Sequence, residues 1–124
     1  MEVAKYIEKG LDAYNIQYDK DILADLSFYI EELDRWNRHI NLTGIKDVPS
    51  MIKILLYDAF FIFSRLKESK SILDMGSGNG ILSITITILK KPQGRMKVFS
   101  VDKSIKKIQF QKHIKRKLRL DDFV

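Results

Sequence analysis

Apolar side chains recur at helical spacing through the first third of the chain. Val3, Ile7 and Leu11 stand four apart, which places them on one face of a short helix ending near Tyr14 and Asn15. After Asp19 come Ile22, Leu26, Tyr29, Leu33, Trp36 and Ile40, at alternating intervals of four and three. That spacing draws a single stripe along a helix of about five turns. Asn41, Leu42, Thr43 and Gly44 close it, with Gly44 suited to the left-handed conformation that ends many helices. Asp47, Val48, Pro49 and Ser50 mark a new helix start, because proline fits a first turn whose amide is unpaired anyway. Residues 51–66 are rich in Ile, Leu and Phe, which predicts a third, mostly buried helix. Residues 1–68 are therefore expected to form an all-helical unit.

The pattern changes after Glu68. Ser71, Ile72, Leu73, Asp74 and Met75 form a short apolar run that enters Gly76, Ser77, Gly78, Asn79 and Gly80, a buried strand feeding a tight loop. Residues 81–89 pull in two directions. Ile84, Thr85, Ile86, Thr87 and Ile88 are β-branched and alternate as a strand would, yet a glycine loop between two strands is how a βαβ unit is built. The context decides for helix. Lys91, Pro92, Gln93 and Gly94 read as a turn, and residues 97–102 (KVFSVD) as a second strand ending in an acid. Ser104 can cap a last helix in which Phe110, Ile114 and Leu118 share a face, and residues 120–124 are expected to begin a third strand.

Composition sets outer limits. The chain has 124 residues, 45% hydrophobic and 31% charged, enough apolar material for one globular domain, or a small domain and part of another. It contains no cysteine, which excludes disulfides, thiolate metal sites and a cysteine nucleophile. The N-terminus has no unbroken apolar stretch of the secretory kind. The longest nearly uncharged run is shorter than the ~20 residues of a membrane span, so a soluble, cytoplasmic protein is expected. His39 and His113 lack partners at metal-ligand spacing, and no metal is assigned.

Charge is unevenly placed. Residues 1–50 carry ten acids and six bases, a net of −4, and residues 51–124 carry six acids and sixteen bases, a net of +10. Lys103, Lys106, Lys107, Lys112, Lys115, Arg116, Lys117 and Arg119 lie within seventeen residues that hold no acid. Such a stretch is either a solvated helix face or a surface for phosphate polyanions.

The strongest candidate for chemistry is the segment from Asp74 to Gly80 followed by Asp102. Glycines let the backbone turn sharply and approach a ligand, and the amides opening the next helix face that ligand. An acid at the end of the second strand, 22 residues after Gly80, is placed to accept hydrogen bonds from two ribose hydroxyls. A dinucleotide fingerprint wants glycine or alanine where Ile81 stands. The GxGxG spacing with Asp74 two residues ahead instead resembles the first motif of S-adenosylmethionine-dependent methyltransferases with a Rossmann-like sheet.

The resemblance extends to one family. Trp36, Asn37, Arg38, His39, Ile40, Asn41, Leu42 and Thr43 (WNRHINLT) resemble the WNxxxNLT signature of the bacterial small-subunit rRNA guanine-N7 methyltransferases called RsmG or GidB. That family has a helical cap, then an aspartate in the third helix, a DxGSGxG loop, and an acid followed by paired bases and phenylalanine. Asp58, the Asp74 to Gly80 loop, Asp102, Lys106, Lys107 and Phe110 stand in those places in that order. There are departures. Leu55 and Ala59 flank Asp58 where the family shows His and Ser, Ile81, Leu82 and Ser83 replace phenylalanine, proline and glycine, and Gln111 replaces a leucine.

What the resemblance implies is an α/β chain. Residues 1–68 would be the helical cap, and residues 69–124 the first part of a Rossmann-like methyltransferase fold. The family's sheet has seven strands, so this chain is similar to the family's N-terminal portion. The implied cofactor is S-adenosylmethionine, held by Asp74, Gly76, Ser77, Gly78, Asn79, Gly80 and Asp102. Asp58 would lie near that pocket. The implied partner is 16S rRNA, with Lys103, Lys106 and Lys107 contacting its phosphates, and the implied reaction is methylation of guanine N7. The competing expectation is a non-catalytic module of the same fold that binds RNA or the cofactor. An incomplete sheet also leads us to expect self-association.

Overall fold

The computed structural model describes residues 2–66, 71–93 and 97–120. Helix α1 (Glu2–Ala13) buries Val3, Ile7, Gly10 and Leu11 and packs on α2 (Lys20–Asn37). Asp19 caps α2, its carboxylate accepting from the Ile22 amide at 2.8 Å. The stripe Ile22, Leu26, Tyr29, Ile30 and Leu33 is buried as the spacing predicts.

Helix α2 stops a turn before its apolar stripe does. Asn37 Oδ1 accepts from the amides of Leu42 (2.9 Å) and Thr43 (3.0 Å), and its Nδ2 donates to the Ile45 carbonyl at 3.3 Å. A short amide side chain thus supplies the partners that another helical turn would have offered. Ile40 still packs on the core from the turn. Gly44 is not left-handed; among the described residues the glycines with positive φ are Gly76, Gly78 and Gly80. The side chain of Asn37, rather than a glycine, ends this helix.

Asp47 caps the third helix through the Ser50 amide at 2.9 Å. That helix runs from α3 (Val48–Ser50) through a π-helical stretch (Met51–Leu56) into α4 (Tyr57–Arg65), a widening with no mark in the apolar pattern. Tyr57 then reaches α1, its hydroxyl donating to the Tyr6 carbonyl at 2.6 Å. Its ring fills the space over Gly10, where an added Cβ would lie 2.3 Å from a ring carbon. This close approach requires glycine in mid-helix.

Strands β1 (Ser71–Met75) and β2 (Lys97–Val101) pair in parallel, from Ser71 opposite Lys97 to Met75 opposite Val101. Helix α5 (Ile81–Lys90) crosses between them and resolves the conflict of residues 81–89. Every residue from Ser83 to Leu89 is buried, so burial on all sides overrides β-branched propensity. A 3-10 turn (Lys91–Gln93) follows. Helix α6 (Ile105–Leu118) is capped by Ser104, whose hydroxyl accepts from the Lys107 amide at 3.3 Å. Leu120 is buried, its amide donating to Lys115 O at 3.0 Å. The expected third strand falls mostly on residues 121–124, and the turn's Gly94 on residues 94–96; both lie outside the described residues.

Together these elements form a mixed helix and strand fold: helices first, then the βαβ start of a Rossmann-like sheet. Tyr29 from α2, Phe60 from α4, Ile84 from α5 and Phe110 from α6 are fully buried in one cluster. Trp36 packs 5.3 Å from Phe110 and 4.9 Å from the His113 ring, between ring centroids. The sheet is covered on one face, where Val98 is fully buried. Its other face presents Leu73, Met75, Phe99 and Val101, with Met75 74% exposed.

Glu32 joins α2 to α6, its Oε1 lying 2.6 Å from His113 Nε2. Two hydrogen bonds from Arg35 (2.7 and 2.8 Å) and then the His113 contact bring its pKa from the ordinary 4.5 to about 2, against the opposing effect of burial. A carboxylate depressed in the folded state stabilises fully above its unfolded value and loses that contribution as the pH falls toward the folded one. The urea midpoint should therefore drop between pH 4.5 and about 2, and Glu32→Gln should flatten that part of the profile.

Candidate functional site

The loop after β1 is built from alternating left-handed glycines: Gly76 at φ +70°, Gly78 at +58° and Gly80 at +79°. Ser77 N donates to Val101 O at 2.9 Å, extending the strand ladder by one step, and Gly80 N donates to Ser77 O at 2.9 Å. Asn79 Oδ1 accepts from the Ile81 amide at 2.9 Å and covers the start of α5. Gly80 is also sterically required. A Cβ there would lie 2.7 Å from Ile84 Cδ1 and 2.9 Å from Gln111 Cγ.

Asp102, just after β2, closes on the loop from the side. Its Oδ2 accepts from the Gly78 amide and its Oδ1 from the Ser104 amide, both at 2.8 Å. The Ser104 amide first, and then that of Gly78, holds its pKa below the usual carboxylate value, so the group stays ionised at neutral pH. Asp74 is turned toward α5 and accepts from Ser83 Oγ at 2.5 Å. From the cap, the Tyr29 hydroxyl donates to Asn79 O at 3.0 Å, and burial followed by the Asp74 charge pushes the Tyr29 pKa up. Gln111 holds the loop from α6: its Nε2 donates to Ser77 Oγ (2.8 Å) and Gly78 O (2.7 Å), while its Oε1 accepts from Ser100 Oγ (2.6 Å).

The structure thus brings Asp74, Gly76, Ser77, Gly78, Asn79, Gly80 and Asp102 to one end of the parallel strands. The amides of Ser77, Gly78 and Gly80 are engaged within the protein. The open part of the turn is Gly76, where a Cβ would meet nothing within 4 Å, and there the bare backbone is available to a ligand. Lys103 and Lys106 are exposed and Lys107 half-buried beside this end. Asp58 is exposed on α4 and makes no hydrogen bond to these groups among the described residues.

Sequence reasoning missed Tyr29, Ser83 and Ser100 as loop supports. It noted Gln111 only as a departure from a pattern. One signal was available: Gln111 is a polar residue three before Ile114 and seven before Leu118, on the buried face of α6. Ser83 is 0% exposed and Gln111 1%. These two departures from the family pattern meet through Ser100.

The family model described as rRNA small subunit methyltransferase G matches residues 22–124. The chain belongs to that family. It is 38% identical over 117 residues to the ribosomal RNA small subunit methyltransferase G of Syntrophotalea carbinolica, covering 94% of this chain and 52% of the relative. The protein of the same name from Geobacter sp. (strain M21) is 35% identical over 117 residues, with the same two coverages. That from Legionella pneumophila (strain Corby) is 30% identical over 119 residues, covering 96% of this chain and 54% of its own length. The chain spans about half the length of these methyltransferase G relatives.

The loop's attachment to α2 is open to a direct test. Tyr29→Phe removes the donor to the buried Asn79 carbonyl while keeping the ring. We expect a loss of about 1–3 kcal/mol, read as a lower urea midpoint with an unchanged slope.

Proposed function

We propose that this chain is the cofactor-binding portion of an S-adenosylmethionine-dependent methyltransferase that acts on guanine N7 of 16S rRNA. The observation that carries the reading is the glycine loop, open at Gly76 and fastened to an ionised Asp102, in a chain of the methyltransferase G family. The residues fit such a ligand: an open backbone turn at Gly76 for the amino-acid part, and a strand-end carboxylate with further lone pairs for ribose hydroxyls. When bound, the cofactor supplies a methyl group on a positively charged sulfur. Guanine N7 carries a lone pair and no proton, so these residues need not include a general base. Asp102 would hold the sugar, the loop from Gly76 to Gly80 would meet the amino-acid end through its open backbone at Gly76, and Asp74 would keep the loop in register through Ser83. Their contribution is alignment and exclusion of water, with the target base presented out of its stack.

Residues 1–68 serve in this reading as a cap over the cofactor unit of residues 69–124. Lys103, Lys106 and Lys107 extend the site toward RNA phosphates, a salt-sensitive contribution. The reaction belongs to the cytoplasm, where a bacterial ribosome is assembled. Calorimetric titration with S-adenosylmethionine tests the reading. The wild-type chain should bind, and Asp102→Ala should bind at least tenfold more weakly, about 1.4 kcal/mol. No heat at millimolar ligand would overturn cofactor binding by this chain and favour a non-catalytic RNA-binding module.

The bare sheet face adds a proposal about association. Parallel strands are ordinarily covered on both faces, and Leu73, Met75, Phe99 and Val101 lie open on this one. A second copy of the chain is the proposed cover, its acidic first half complementing the basic second half. Sedimentation should show dimers at micromolar concentration that Met75→Glu dissociates. A monomer throughout would overturn self-association.

A further inference from the structure

We infer that Gln111 is a positioning residue for the glycine loop, fixing the loop's geometry through directional hydrogen bonds rather than by filling space. Its side chain is 1% exposed, in a helix whose other buried residues, Phe110 and Ile114, are apolar. Burying an amide there gains nothing over an apolar side chain of similar volume unless its groups are paired, and here both ends are. The Gly78 carbonyl can only accept, so the nitrogen of Gln111 must face the loop and the oxygen must face Ser100. The orientation of the amide follows from the fold.

The consequence falls on one peptide unit after another. Gly78 is held through its N–H by Asp102 and through its C=O by Gln111, so its left-handed conformation is gripped from two elements. Ser77 is held through its hydroxyl. Gly80 packs so closely on the Gln111 stem that no side chain fits between them. Beyond Gln111 the chain of contacts continues. Ser100 Oγ gives its one proton to Gln111 and Ser83 Oγ gives its one proton to Asp74, so the two hydroxyls, 3.4 Å apart, are in contact without a hydrogen bond between them. The two strand-end acids are thus held separately, Asp102 by the loop amide that Gln111 braces and Asp74 by Ser83 of α5. With the loop so held, the Gly76 turn is shaped before any ligand arrives, which lowers the ordering cost of binding.

The test uses the whole chain with Gln111→Met, which keeps volume and removes the hydrogen bonds, and Ser77→Ala, which removes one of them from the loop side. Amide hydrogen exchange is measured without ligand. Gln111→Met should speed exchange at Ser77, Gly78 and Gly80 about tenfold beyond any change at α2 and α6 amides, which follow only the overall loss of stability read from the melting temperature. Ser77→Ala should act on the same amides, and the double variant should show less than the product of the two effects. Unchanged loop exchange in both variants, or faster exchange spread evenly over all helices, would overturn the inference. A second readout rests on the cofactor reading above: S-adenosylmethionine affinity should fall about tenfold in Gln111→Met. If the wild-type chain binds no cofactor, that reading fails and the exchange data alone decide the role of Gln111.

Discussion

A helix buried on every side is the constraint on which the rest of this structure depends. Seven consecutive residues of α5, from Ser83 to Leu89, are closed off from solvent. That requires the sheet beneath, α2 and α4 around it, and the π-helical stretch against it. The helical first half and the βαβ second half therefore share one core. The arrangement has a cost. Thr85 Oγ1 is buried without a partner among the described residues, a penalty on the order of 1–3 kcal/mol, whereas Thr87 donates to Ser83 O at 2.8 Å.

The periodic elements were legible because their physics is local. Asp19, Asp47 and Ser104 cap helices where a short acceptor precedes an apolar stripe, and Gly76, Gly78 and Gly80 take the left-handed turns that the GxGxG spacing suggested. The end of α2 was not legible. There a tertiary-style exchange between Asn37 and three backbone groups ended the helix before its apolar stripe ran out. The side-chain identity that mattered was asparagine, seven residues from the glycine that looked like the terminator.

The site was legible in its backbone and opaque in its supports. A glycine loop and a strand-end acid announce themselves by spacing. Tyr29, Ser83, Ser100 and Gln111 act across 9 to 50 residues of sequence, and no window on the sequence joins them. Three separate elements hold the loop: the cap through Tyr29, the end of β2 through Asp102, and α6 through Gln111. A change in α2 thus bears on the loop through the Tyr29 hydroxyl, and a change in the basic helix through the Gln111 amide.

The π-helical stretch Met51–Leu56 bears on which side chains the third helix buries. Hydrogen bonds one residue longer than those of an α-helix let this stretch hold a residue more than ordinary turns of the same rise. Val48 before it and Phe60 after it both pack on the core, and Met51, Ile52 and Leu56 within it are fully buried. The wider winding thus decides which side chains of this stretch reach the core, while Lys53 and Ile54 are left to solvent.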